Sequence, residues 1–270
     1  MKHISALVAL FTVAGLASPA RAGTLPIITK CPPDAVLVGP TCVDTYEASV
    51  WQIPSTNTGL INKVKKGTAK LGDLTGGGAT EISPSSSCSP AFPGTFPNNG
   101  QWTAPLYAVS VAGVHPTACV SWFQAAQACR LSGKRLLTNL EWQDAAAGTP
   151  DPGSSPGAGD CNTNTNSSAA VDTGSRANCK SSWGAFDMVG NVDEWVSDWV
   201  PLSTACPGWG SGFNGDFQCL AGADTSSTGG PGALVRGGRL VDRTSAGVFA
   251  VDGSIQPSDS GDGGGFRCAR

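Results

Sequence analysis

Ten cysteines, at positions 31, 42, 88, 119, 129, 161, 179, 206, 219 and 268, constrain this 270-residue chain more than any other feature. An even number of thiols in an exported protein reads as a disulfide framework, because an oxidising compartment converts them to cross-links. The start of the chain supplies the export signal. Lys2 and His3 precede an apolar run from Ile4 to Ala17, and Ala20-Arg21-Ala22 forms an A-x-A cleavage site. Residues 1–22 are therefore expected to be a signal peptide cut after Ala22, and the mature protein to be secreted or periplasmic. The apolar run is too short to span a bilayer, no Cys follows it directly to carry a lipid anchor, and no later segment reads as transmembrane. Membrane insertion is not expected. Spacing suggests three local staples, Cys31–Cys42, Cys161–Cys179 and Cys206–Cys219. Cys129–Cys268 would then tie a helix to the last strand and leave Cys88 with Cys119, although ten cysteines allow many other connectivities. Zinc finds no C-x-x-C pair, and His115 is the only histidine of the mature chain.

The chain is 40% hydrophobic, enough for one large domain with a core or two small ones. With 36 Gly, 19 Pro and only 14% charged residues, it suits a loop-rich fold more than a helical bundle. The net charge of −3, with no basic patch or tail, argues against nucleic acid as a partner. Val36–Val38, a Gly39-Pro40 turn and Cys42–Trp51 read as strand material. Residues 54–105 read as a long irregular insertion in which Lys63, Lys65, Lys66 and Lys70 form a solvated cluster. Leu106–Val114 is a short strand candidate. Ser121 caps a helix over Trp122–Leu131 that Gly133 stops. Trp122, Ala125, Ala126, Cys129 and Arg130 share its expected buried face. Thr138 and Glu141 form a capping box that opens a second helix through Ala147. Residues 149–182 read as loop. Two helices with several short strands indicate an α+β fold.

Gly184–Trp199 gathers Asp187, Asp193, Glu194 and Asp198 around a Gly190-Asn191 pair, with Trp195 and Trp199 near its end. Such a tight loop with converging oxygens suits a hard cation such as Ca²⁺, although a solvated polar turn has the same composition.

Five motifs in order carry a resemblance: Val120-Ser-Trp-Phe-Gln-Ala-Ala-Gln-Ala-Cys129, Gly133-Lys-Arg-Leu-Leu-Thr-Asn-Leu-Glu-Trp142, Gly184-Ala-Phe-Asp-Met-Val-Gly-Asn-Val-Asp-Glu-Trp195, Val235-Arg-Gly-Gly238 and Gly265-Phe-Arg-Cys-Ala269. Together, with Asp44-Thr-Tyr-Glu47 as an early strand, they resemble the sulfatase-modifying-factor, or formylglycine-generating-enzyme-like, domain. The resemblance covers most of residues 34–270. It implies a variant of the C-type lectin fold, with little regular structure and short antiparallel strands, as a single domain over 23–270 with insertions about 54–105 and 149–182. It also implies structural calcium, bound by the side chains of Asp187 and Glu194 and the carbonyls of Gly190 and Val192. The family usually has Asn at the position of Asp187 and often Trp at that of Asp193.

Oxidase members of the family hold copper with a Cys pair soon after the Arg-Gly-Gly motif. The matching stretch here, Gly237–Gly247, has no Cys. The sulfoxide synthases of the family use histidine-bound iron, which one mature histidine cannot build. No copper or iron site is expected. No G-x-S-x-G nucleophile motif is present, and nothing singles out a carboxylate pair for glycoside hydrolysis.

The end of the chain carries a second resemblance. Arg236-Gly-Gly238, Thr244–Ala250, Gln256-Pro-Ser258 and Gly265–Arg270 resemble the variable region of proteins diversified by retroelements, in which adenines of Asn codons are randomised. Arg239, Val241, Asp242, Asp252, Ser254, Ile255, Asp259, Gly261, Asp262 and Gly263 all hold residues reachable from an Asn codon in this way. Leu240 departs from the aromatic usual at its place. These ten positions are the expected ligand-binding surface, held by a rigid frame. The expectation is an exported ligand-binding protein whose partner is an extracellular protein or carbohydrate. The alternative is a metal-dependent oxidase that modifies proteins.

Overall fold

β1 (Ala35–Val38) and β2 (Thr41–Asp44) pair antiparallel across Gly39, whose positive φ of 55° closes the turn. The structure, a computed structural model, describes residues 30–82, 88, 92–103, 105–164, 169–201, 215–219, 231–261 and 264–270. The expected signal peptide and its cleavage site lie outside the described residues. β3 (Ser49–Gln52) follows.

The stretch from 54 to 105, expected to be irregular, instead carries two helices and a strand. α1 (Thr58–Lys65) is capped by Asn57, whose side chain accepts the Leu60 N–H at 3.1 Å. α2 (Leu71–Gly76) and β4 (Thr80–Glu81) complete the excursion. Leu60, Val64 and Leu74 pack on Trp51, Ile53 and Tyr107. The i, i+4 pair Leu60/Val64 is a short periodic signal, easily lost among the surrounding Gly and Lys. Lys63 pairs with Asp73 at 2.6 Å while staying half exposed, a solvated arrangement.

β5 (Leu106–Val109) is shorter than the expected strand and wholly buried. α3 (Trp122–Leu131) has the expected bounds, but its buried face is Gln124, Ala125, Ala128 and Cys129. Arg130 is exposed and Ala126 only half-buried. The face turns toward Gln124 because that amide is doubly used, accepting from the Ser121 N–H at 2.9 Å and donating to the Phe96 carbonyl at 2.8 Å. β6 (Arg135–Leu136) leads to α4 (Asn139–Ala146), which opens on the Thr138/Glu141 capping box. β7 (Asp193–Pro201), β8 (Gln218–Cys219), β9 (Pro231–Arg236), β10 (Val251–Ile255), β11 (Gly264–Phe266) and β12 (Cys268–Ala269) follow.

The strands form three sheets, ordered β1-β2-β12-β6, β11-β7-β9-β10-β8 and β4-β3-β5. Most pairs are antiparallel, but β11 runs parallel to β7 and β10 parallel to β8. The last strands thus lie inside the molecule, with β12 between β2 and β6 and Phe266 and Cys268 fully buried. Four of the expected disulfides are present: Cys31–Cys42, Cys88–Cys119, Cys129–Cys268 and Cys161–Cys179. Cys219 is also disulfide-bonded, and Cys206, its expected partner, lies outside the described residues. No helix among the described residues is long and apolar enough to cross a membrane.

Candidate recognition site

The frame of the site is built on Arg267. Its side chain is completely buried. Its Nε donates to both oxygens of Glu194, at 2.9 and 2.7 Å, and Nη2 donates to Oε1 at 2.5 Å. The remaining guanidinium protons reach the carbonyls of Asp44 and Phe186, at 3.1 and 2.7 Å. Glu194 Oε2 also accepts the Trp142 indole N–H at 2.7 Å. Two further buried carboxylates lie in the same field. Glu47 accepts from the Asn191 amide at 2.7 Å and the Val192 N–H at 3.3 Å. Asp187, held at φ 58°, accepts the Gly174 N–H at 2.7 Å.

The resemblance placed calcium on Asp187, Gly190, Val192 and Glu194. In this arrangement Arg267 already supplies the positive charge that Glu194 needs, and a calcium ion would have to displace it. While the guanidinium holds both Glu194 oxygens, Glu194 is not free to join Asp187 and the Gly190 and Val192 carbonyls around a cation.

Burial pushes the Glu47 carboxyl well above its usual range, repulsion from Asp187 and Glu194 adds to the rise, and Arg267 opposes it. Burial likewise pushes Asp187 up to about 6, against the Gly174 N–H and Arg267. Both folded values stand above the unfolded ones. Below about pH 6 the folded state therefore holds protons that the unfolded chain has released, and stability rises as pH falls toward 5. Glu141, lowered to about 2 despite partial burial, chiefly by its bond to Arg135, contributes stability that fades only below its ordinary value of 4.5. The melting temperature is thus expected to rise by roughly 5 °C from pH 7.5 to 5. Asp187→Asn should flatten that rise, and EDTA should leave the melt unchanged. A calcium-held loop would instead melt earlier at pH 5 and in EDTA.

The tail rests on this frame. β9 ends at Arg236, whose guanidinium lies 4.6 Å from the Trp142 ring. Gly237 and Gly238 follow at φ 88° and 77°. A Cβ on Gly238 would come within 2.6 Å of Ala246, so the turn closes only with glycine. Leu240 then plugs into Ala118, Cys119, Ala170 and Val192, and its N–H donates to the Asn191 carbonyl at 3.1 Å. Ala246, Ala250, Val251 and Phe266 are further buried anchors.

Between the anchors the side chains face outward. Val241 is 52% exposed. Ser254, Asp259 and Gly261 are exposed, and Arg239, Asp242, Asp252 and Ile255 are half-buried. Asp262 and Gly263 lie outside the described residues. The half-buried four line one cleft of about 350 Å³. Val241, Ser254, Asp259 and Gly261 do not line it.

At the cleft Arg239 is shared by Asp193, with Nε 3.6 Å from Oδ2, and Asp242, with Nη2 3.4 Å from Oδ1. Asp242 Oδ2 also accepts the Arg239 N–H at 2.8 Å, fixing the turn. Asp252 Oδ1 accepts the Ser254 N–H and hydroxyl at 2.7 and 2.6 Å. Burial pushes the Asp193 carboxyl well above its usual range, Asp242 and Asp252 add to the rise, and Arg239 opposes it. Sequence reasoning missed Asp193 and the apolar wall of Phe217, Val235 and Val251 as cleft residues. The departure from Trp at position 193 was the signal for the first. The wall gave none, since its residues are ordinary strand material.

A disulfide-stapled α+β frame that holds a surface cleft near its C-terminus defines the class of this protein. Residues 97–270 match the sulfatase-modifying factor enzyme 1-like domain, and the chain belongs to that family. Its architecture is the formylglycine-generating-enzyme-like variant of the C-type lectin fold. The chain is similar to a formylglycine-generating enzyme of Thermomonospora curvata, 32% identical over 102 residues, which are 32% of this chain and 34% of that protein. It therefore spans about a third of that relative's length. Among solved structures it is similar to the Major Tropism Determinant I1 variant, with TM-score 0.49 and 18% identity over 88% of this chain and 52% of that one. The P3c variant gives TM-score 0.48 and 20% identity over the same shares.

Proposed function

We propose that this chain is an exported ligand-binding protein whose C-terminal surface is diversified, on a scaffold that does not carry the oxidase chemistry of its family. The observation that supports this most is the division of labour in the tail. Leu240, Ala246, Val251 and Phe266 are buried, while the eight described positions reachable from Asn codons are exposed or half-buried. A segment built this way can vary its outward side chains without disturbing its packing. Arg239 is already engaged by two carboxylates, so a ligand meets a net negative cleft floor and gains most from a cationic group.

The oxidase alternative draws on the name of the Thermomonospora curvata relative. Against it, Gly237–Gly247 contains no Cys, the first Cys after it, Cys268, is bonded to Cys129, and Cys219 before it is also disulfide-bonded. Diversification is tested in the neighbouring DNA. A reverse-transcriptase gene and a near-copy of the 3′ end of the gene, with adenines at the ten codons, are the expected finding. Their absence would remove the diversified part of the proposal.

A further inference from the structure

Trp183 and Phe249 are large apolar side chains left 46% and 43% exposed, and both line a second cleft of about 610 Å³. This cleft shares no lining residue with the one at Arg239, and its size is ordinary for a small-ligand site. The sequence builds it at the end of α4. Gly148, at φ 76°, lets the chain at Ser182 approach so closely that a Cβ there would meet the Ser182 hydroxyl at 2.0 Å. The Ser182 N–H donates to the Ala147 carbonyl at 2.9 Å, which sets Trp183 beside the helix. The Trp183 indole N–H then donates to the Asp144 carbonyl at 2.8 Å, fixing the ring. Opposite, the Phe249 N–H is held by Asp216 at 2.8 Å. Asp144 also lines the cleft; its side chain is exposed and makes no hydrogen bond or ion pair among the described residues.

We propose that this cleft binds a sugar ring of an oligosaccharide, with the ring's C–H face on an aromatic and its hydroxyls on Asp144. The chemistry separates this occupant from a proline-rich peptide, the other common partner of an aromatic-walled groove. A peptide without N–H groups presents carbonyls, which need donors. The indole N–H is spent on the Asp144 carbonyl, the Gln143 amide of the same wall donates to the Val248 carbonyl and accepts from Arg236, and the exposed side chain of Asp144 is a carboxylate, an acceptor. Sugar hydroxyls donate as well as accept, and the C–H face needs only a flat, oriented ring.

The test is titration of the full chain with triacetylchitotriose, cellotriose and maltotriose, followed by saturation-transfer NMR and tryptophan fluorescence. At least one should bind saturably with Kd on the order of 0.1–10 mM, as one stacked ring and a few hydroxyl bonds allow. Trp183→Ala should weaken that binding by at least tenfold, and Asp144→Asn several-fold. Asp242→Asn, in the other cleft, should leave it unchanged. Trp183 is nearly half exposed, so its variant is expected to fold; Phe249→Ala, read beside a melting curve, gives an independent check. No saturable binding of any of the three would overturn the proposal. So would binding that survives both aromatic substitutions, or a polyproline peptide that binds where the sugars do not.

Discussion

Arg267→Met is expected to lower stability by ~3–5 kcal/mol at neutral pH, enough to leave much of the protein unfolded. The side chain is fully buried and is the cation for Glu194, with Glu47 and Asp187 in the same field. Without it, the folded state keeps buried carboxylates with no counter-charge, and they must take up protons or draw in water. The loss should be smaller at pH 5, where those groups protonate more easily. Glu194→Gln added to Arg267→Met should recover part of it, because the two changes remove a pair instead of one partner. Thermal melts of the two variants at pH 5 and 7.5 check this. A single variant that loses less than ~1 kcal/mol would show that Arg267 does not hold the frame together.

The second large effect is expected from the Cys129–Cys268 bridge, which joins α3 to β12 across 139 residues. Closing so long a loop removes much of the freedom of the unfolded chain, a contribution of ~4–5 kcal/mol in the chain-entropy picture. Cys161–Cys179 lies inside this loop and already shortens the free path. The double change Cys129→Ser, Cys268→Ser should therefore cost about 3–4 kcal/mol, or roughly 10 °C in melting temperature. Cys31→Ser with Cys42→Ser opens an 11-residue separation and should cost less. A reversed order would mean that native packing, and not chain entropy, sets the contribution of each bridge.

Much of the fold could be read before the structure because its signals are local. The Ser121 and Thr138 caps set the starts of α3 and α4, and cysteine spacing paired Cys31–Cys42 and Cys161–Cys179, with Cys129–Cys268 expected as a tie from helix to last strand and Cys88–Cys119 as the remainder. What escaped depends on partners distant in sequence. Glu194 reads as a cation ligand until Arg267, 73 residues on, is found against it. The buried side of α3 follows from Gln124 reaching the Phe96 carbonyl, a bond that periodicity does not encode. The helices at Thr58–Lys65 and Leu71–Gly76 hide in a Gly- and Lys-rich stretch, and Trp51 and Tyr107, on the strands that flank it, form the apolar surface they pack on. The ten tail positions were chosen by codon logic alone. The outward placement of the eight described positions becomes visible only when Leu240, Ala246 and Val251 are seen to be anchored between them.

The most direct test of the account is to randomise Arg239, Val241, Asp242, Asp252, Ser254, Ile255, Asp259 and Gly261 together in a displayed library. The library is sorted first for protease resistance and then for binding to a panel of extracellular proteins and glycans. The account predicts that most members stay folded, and that selected binders lose their ligand when the eight positions revert to alanine. A library that is mostly unfolded, or binding that ignores these eight side chains, would contradict it.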